Sequence, residues 1–213
     1  MGIELSEWKV RRIMRENGMY PVTIKKFKPG RSGKAEGRYY ENIIKQEFNT
    51  NQKNIIWVGD ITYLPTKIGW VYLAAIIDLY NREVIGYSVS KKMDSELVCR
   101  ALGNAIARNG KGDNLVFHSN RGCQYSSKKY QQMLEKYGVS GSMSNPGYPY
   151  DNSCMESFFA SLKKEFIMRK GYATMEAVED DLFYYIEVFY NRKRLHSTLD
   201  YMSPVAFRIK KRG

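Results

Sequence analysis

The sequence predicts an α/β domain built on a mixed five-stranded sheet with helices against its faces. Three observations carry this. From residue 53 onward, three apolar runs follow one another with only turn residues between them, the pattern of a β-meander. Two more short apolar runs then alternate with segments whose apolar residues recur at helical spacing, giving the order β-β-β-α-β-α-β. Finally, 213 residues at 43% hydrophobic and 14% aromatic content suffice for one well-cored domain with appendages.

The elements follow in order. SEWKVRRIMRENG, residues 6–18, has Val10, Ile13 and Met14 on one side, Lys9, Arg11, Arg12 and Arg15 on the wet side, and Gly18 as a stop. Residues 23–38 are basic and Gly-rich and read as a mobile linker. IIWVGDITYLP is the first strand. Gly69 turns into WVYLAAIIDLY, the second, and NRE turns into VIGYSVS, the third. In MDSELVCRALGNAIARNG, Leu97, Ala101, Leu102 and Ala105 fall at helical spacing behind Asp94 or Ser95 as N-cap. LVFHSN is a short buried strand, SKKYQQMLEKYG a helix and VSGSMS the last strand.

After the loop NPGYPYDNS comes the helix CMESFFASLKKEF, with Met155, Phe159, Leu162 and Phe166 as its buried stripe. Glu156 and Lys163, two turns apart, share one flank of it. A further helix spans TMEAVEDDLFYYIEVFYN and packs through Met175, Val178, Leu182, Ile186 and Phe189; the tail behind it is basic and aromatic.

A net charge of +12 points to a polyanion, because neutralising phosphates releases their counterions. An anionic membrane is the other polyanion, but the sequence has no long apolar span and no secretory signal. A merely basic, ribosome-like protein also fits charge alone. Cys99, Cys123 and Cys154 are odd in number, widely spaced and without a CxxC pair, so they read as reduced thiols rather than a disulfide frame or zinc site.

Three residues can converge at one end of such a sheet. Asp60 follows the apolar IIWVG of the first strand, Asn120 ends the fourth, and Glu156 opens the helix after the loop; thirty-five residues lie between the last two. Carboxylates so placed would hold two divalent cations for in-line attack on a phosphodiester, and hard oxygen ligands suit Mg²⁺ or Mn²⁺. Asn120 breaks the pattern, since an amide carbonyl can coordinate a cation but cannot bridge two or balance their charge.

WVGDITYLPT, HSNRGCQYSS, NPGYPYDNSCMESFFASLKKE and YNRKRLHSTLDYMSP together resemble the integrase core of bacterial insertion-sequence transposases, relatives of the retroviral integrases. The resemblance spans about residues 53–208. It implies a ribonuclease-H-like fold and a D-D-E triad on two Mg²⁺ (or Mn²⁺) ions, carried here by Asp60, Asn120 and Glu156. It also implies strand cleavage and strand transfer on double-stranded DNA by a homo-oligomer, at least a dimer on DNA, in the bacterial cytoplasm at the nucleoid. Where the family reads H-S-D, this chain reads His118-Ser119-Asn120. Decay of a genomic copy, deliberate substitution and simple tolerance all account for the amide; the near-isosteric exchange in an intact motif favours the second.

Single residues have plainer readings beside these. Asp60 alone reads as a strand-edge aspartate, and Glu156 as a first-turn acid favoured by the helix dipole. Asp78 reads as a structural hydrogen-bonding group. His118, on the same side of its strand as Asn120, is a satisfied structural histidine or a neighbour of the site. Lys163 reads as a DNA contact, with Lys164 beside it either that or a solvated face; Arg121 stands evenly between DNA contact and structure. Arg192, Arg194 and His196 either pack the tail or touch DNA. Tyr148 and Tyr150 either approach the strand end or cover the core.

The expected organisation is a helix-turn-helix remnant at 1–27, a basic linker at 28–52, the catalytic core at 53–168 and a helical basic extension at 169–213. Only the last helix of an end-recognition module is recognisable at the N-terminus. The functions in play are a DNA-strand-transfer enzyme weakened at position 120 and a non-catalytic DNA-binding protein that keeps the fold and competes or assembles with active copies. A ribonuclease-H-type nuclease fits the flanking basic segments less well.

Overall fold

The computed structural model describes residues 6–19, 38–165 and 171–211. Five strands form one sheet: β1 (Ile56–Thr66), β2 (Gly69–Asp78), β3 (Val84–Ser90), β4 (Val116–Ser119) and β5 (Ser140–Met143), in the order β3-β2-β1-β4-β5. The meander β1-β2-β3 is antiparallel, whereas β4 and β5 run parallel to β1. Parallel neighbours need crossovers, and helices α2 (Ser95–Asn109) and α3 (Lys128–Tyr137) supply them.

Strand alternation divides the core in two. Val58, Leu64, Val71, Leu73, Ala75 and Ile77 point to one face. Helix α4 (Ser153–Glu165) covers that face together with α5 (Met175–Phe183) and its continuation. Trp57, Ala74, Ile76 and Phe117 point to the other, under α2 and α3. Burial on both faces explains why the central strands read as near-continuous apolar runs. At Gly59 a Cβ would run into the Phe117 ring, so only glycine lets β1 and β4 lie this close beside the position of Asp60.

The caps are as the residues dictate. Asp94 accepts the Leu97 N–H at 3.1 Å to open α2, and Gly138, with a φ of 61°, closes α3. Helix α1 (Glu7–Glu16), a separate unit, starts on the Ser6 side chain and buries none of its residues.

Two expectations need revision. Residues 38–52, counted with the linker, dock on the sheet beside β5. Ile44 is buried, the Ile43 N–H donates to Ser142 Oγ at 3.0 Å, and a Cβ at Gly141 would stand 2.6 Å from the Tyr40 ring. Residues 23–37, read as mobile, lie outside the described residues except that Arg38 at their border is described. The helix expected over 174–191 is two kinds of helix: α5 gives way to a π-helical stretch, Tyr184–Tyr190. Its wider turn adds Tyr185 and Tyr190 to the buried set beside Val178, Leu182 and Ile186, so the C-terminal extension is part of the core.

In α4 the buried stripe is Met155, Phe158, Phe159 and Leu162; Phe166, which the spacing adds, lies outside the described residues. A short 3₁₀ turn, Ser197–Leu199, leads to α6 (Pro204–Lys210). All three cysteines are free. Among the described residues no helix is long and apolar enough to cross a membrane.

Candidate active site

Register brings the first two residues together. On the parallel β1–β4 ladder Gly59 lies opposite Ser119, so the next residue on each strand, Asp60 and Asn120, stand side by side. Asn120 is one step past the end of β4, where the chain is free to turn. Its side-chain amide donates to Asp60 Oδ1, which also accepts the Ile61 N–H at 2.8 Å. Its carbonyl accepts the Gly122 N–H at 2.9 Å. These two partners fix the orientation: exchanging N and O would set oxygen against carboxylate and N–H against N–H.

Glu156 arrives on α4. Asn152, just before the helix, donates its side-chain amide to the Gly59 carbonyl at 3.2 Å and so ties the start of α4 to β1 one residue from Asp60. Asp151 fastens the preceding loop: it accepts the Asn145 N–H at 2.8 Å, the Asn42 amide at 2.9 Å and the Gln46 amide at 2.7 Å. Neither residue was singled out from the sequence. Both sit in the quoted PYDNS stretch, but their partners are distant in the chain and left no local signal. Asp60, Asn120 and Glu156 thus line one open cleft of about 380 Å³ with Arg121 and Tyr148.

Burial raises the Asp60 pKa to about 7; the Ile61 N–H opposes this, Glu156 adds to it and Lys163 opposes it. Lys163, two turns from Glu156, holds Nζ 4.1 Å from the Tyr63 ring centroid. Its own pKa is lowered by burial, against the pull of Asp60.

The other candidates separate clearly. Lys164 and Arg192 are exposed. Arg121 donates from Nε to the Ser144 carbonyl at 2.8 Å and lies over Tyr39, so its guanidinium is engaged in holding the loop. Arg194 pairs with Glu165 at 2.9 Å and reaches Ser161, which ties the tail to α4. Tyr148 and Tyr150 are 61% and 72% exposed and so do not cover the core. His118 is a structural histidine: fully buried, with Ser142 Oγ 2.9 Å from Nδ1 and Ser144 Oγ 3.2 Å from Nε2. Asp78 accepts the backbone N–H groups of Asn54 and Tyr80 at 2.9 and 3.0 Å and stays out of the cleft.

Asp60 and Glu156 offer hard carboxylate oxygens to one cleft, which suits Mg²⁺ or Mn²⁺. Asn120 does not fit in its present pose, because its N–H points at the carboxylate a cation would use and its oxygen is engaged with Gly122. Among the described residues no cluster of three or more Asp, Glu, His or Cys side chains is placed to hold a metal.

Two family models match, both described as integrase core domain, over residues 50–149 and 156–211. Transposase InsF for insertion sequence IS3A of Escherichia coli (strain K12) is 43% identical over 198 residues, which cover 92% of this chain and 68% of that protein. The transposase for insertion sequence element IS904 of Lactococcus lactis subsp. lactis (strain IL1403) is 39% identical over 208 residues, 97% of this chain and 81% of that one. Two solved structures share the fold. A chain of the simian T-cell lymphotropic virus intasome in complex with PP2A regulatory subunit B56 gamma matches with a TM-score of 0.62 at 19% identity, over 83% of this chain and 61% of that one. The HTLV-2 integrase catalytic core domain in complex with magnesium, in its trimeric form, matches with 0.57 at 18% identity, over 74% and 97%.

Proposed function

The chain belongs to the integrase-core family of insertion-sequence transposases, and from that premise we propose that Asp60, Asn120 and Glu156 form its strand-cleavage and strand-transfer site, held back by Asn120. The observation that carries this is the shared cleft: the β1–β4 register and the Asn152 tie of α4 bring three residues from distant parts of the chain to one point.

Asp60 and Glu156 would hold Mg²⁺ or Mn²⁺, up to two ions, which when bound neutralise charge developing on an attacked phosphodiester. The residues do the rest. Asp60 sheds its proton near neutrality to act as a ligand, and the Lys163 charge beside it assists that loss. Asn120 works in the opposite direction, since its amide N–H occupies the Asp60 oxygen and brings no charge of its own. Lys163, on the Glu156 flank, would grip a phosphate of the strand being cut, and exposed Lys164 and Arg192 would add backbone contacts. Arg121 and Arg194, each engaged within the fold, contribute positive potential more than free contacts.

The partner would be double-stranded DNA, element ends and target, in the bacterial nucleoid. Assembly as at least a dimer on DNA is supported by the integrase core of HTLV-2, which is solved in dimeric and trimeric forms. A second reading is favoured by the Asn120–Asp60 bond itself: a non-catalytic member that binds DNA and competes with, or joins, active copies.

One experiment separates the two. Supercoiled plasmid carrying matched element ends is incubated with Mg²⁺ or Mn²⁺ and either this chain or Asn120→Asp. The Asp variant is expected to cut faster by several orders of magnitude, because charge stabilisation at a metal site supplies several kcal/mol and each tenfold in rate takes about 1.4 kcal/mol. An Asp variant no faster than the parent would remove position 120 from the site.

A further inference from the structure

The two flanks of α4 lead to different places. Glu156 lines the Asp60 cleft, while Ser157 and Ser161, about a third of a turn or more away, line a second cleft of about 500 Å³. Its walls come from the docked segment before β1, the turn between β2 and β3, α4, the π-helical stretch and the tail. Its chemistry is one-sided. Arg82, Arg194 and His196 line it with the hydroxyls of Ser157, Ser161 and Thr198, and among the described residues none that lines it is acidic.

Two of those groups are incompletely satisfied. Arg82 donates to Cys154 Sγ at 3.0 Å and Asn49 Oδ1 at 3.3 Å, a thiol and an amide, and forms no ion pair among the described residues. His196 packs edge-on against Tyr190, and its buried Nε2 has no hydrogen-bond partner among the described residues. A buried ring nitrogen left unpaired costs free energy, so such an atom beside an unneutralised guanidinium suits an incoming anion with several acceptor oxygens. Arg194 shares its charge with Glu165, yet its guanidinium still borders the cleft beside Ser161.

We infer that this cleft seats a phosphate group of the DNA backbone, a second anchor on the far flank of the helix that carries Glu156. The inference rests on the reading of this chain as a DNA-acting protein. Arg82 supplies the charge, His196 Nε2 and the α4 hydroxyls supply directed contacts, and neither flank of α4 obstructs the other. One rigid helix then couples where the duplex is held to where it is cut.

The test uses the fact that the chain has two histidines. The 213-residue chain, labelled with ¹⁵N in its imidazoles, is titrated first with inorganic phosphate and then with a short DNA duplex, with no divalent metal present. Fully buried His118 is the internal control. The expected result is a saturable shift of the His196 ring with both probes, a still His118, and loss of the response in Arg82→Gln. Ser157→Asp, which puts a carboxylate at an exposed position of the cleft wall, is expected to abolish it too and covers the case that Arg82→Gln does not fold. In DNA binding, Arg82→Gln is expected to flatten the slope of log K against log salt by about 0.9, one phosphate contact.

A His196 ring that moves with neither probe, or moves equally in both variants, would overturn the site. Movement with phosphate but not with duplex would overturn the DNA assignment and leave a seat for free phosphate. Because this readout needs no cleavage, an inactive plasmid assay and a silent His196 are separate failures.

Discussion

Asp60 and Asp78 lie three register positions apart on the same β1–β2 ladder, on opposite faces of the sheet, and burial raises the pKa of both. Their partners differ. Asp78 is fully buried and receives backbone N–H groups from Asn54 and Tyr80, which cannot leave without breaking the chain's path. Asp60 borders an open cleft, and beyond the Ile61 N–H its partner is the Asn120 side chain, which a rotation could remove. A carboxylate fixed by backbone serves the fold, whereas one held by a side chain at a cleft can exchange that partner for a ligand.

The largest effect expected from this contrast is on stability. Asp78→Ala leaves two buried backbone donors without acceptors, each costing about 1–3 kcal/mol, so urea unfolding should reveal a loss of several kcal/mol. Asp60→Ala, measured in chelator, should cost much less, because it also removes a carboxylate that burial and Glu156 disfavour. Equal losses would erase the distinction between the two aspartates.

A smaller effect is expected at Lys163. Its ammonium sits over Tyr63, an interaction of about 0.5–1 kcal/mol, so Lys163→Ala should cost no more than that in folding. It should still weaken DNA binding across sequences and lower the salt slope by about 0.9. A large fall in melting temperature with unchanged DNA affinity would make Lys163 a structural residue like Asp78.

A pH-dependent effect concerns the histidines. Burial lowers the pKa of both His118 and His196 to about 4, opposed at His118 by Asp151 and reinforced at His196 by Arg194 and Arg82. A lowered histidine pKa means that the unfolded chain takes up protons first. The stability these rings contribute is therefore present above about pH 6.5 and is lost as pH falls toward 4. Proton NMR should find both rings neutral at pH 5.5; a ring titrating near 6.5 would place it in water.

Much of this was legible in the sequence. The strands announced themselves by apolar runs set off by turn residues such as Gly69 and NRE, and three of the quoted motifs carry Asp60, Asn120 and Glu156, which line one cleft. What stayed hidden depends on long-range pairing. Residues 38–52 read as linker because Tyr40, Ile44 and Phe48 belong to no strand or helix, and Asn42 and Gln46 meet Asp151 more than 100 positions away. The π-helical turn was invisible because Tyr184–Tyr190 is apolar enough to continue any helix. The second cleft gathers residues from five separate segments, and the two that carry quoted motifs, α4 and the tail, give no sign in their spacing that they meet Arg82 there. The identity of Asn120 was plain, but its donation to Asp60 depends on the β1–β4 register.

That donation is the centre of the account, and magnesium affinity measures it directly. Calorimetric titration of Mg²⁺ into this chain and into Asn120→Asp, without DNA, compares a cleft in which an amide N–H occupies the Asp60 carboxylate with one carrying a third carboxylate. The Asp variant is expected to bind at least tenfold more tightly and to regain in Mg²⁺ the stability it loses in chelator to repulsion among its carboxylates. Equal affinities, with both proteins folded, would contradict the assignment of position 120 as the blocked metal ligand.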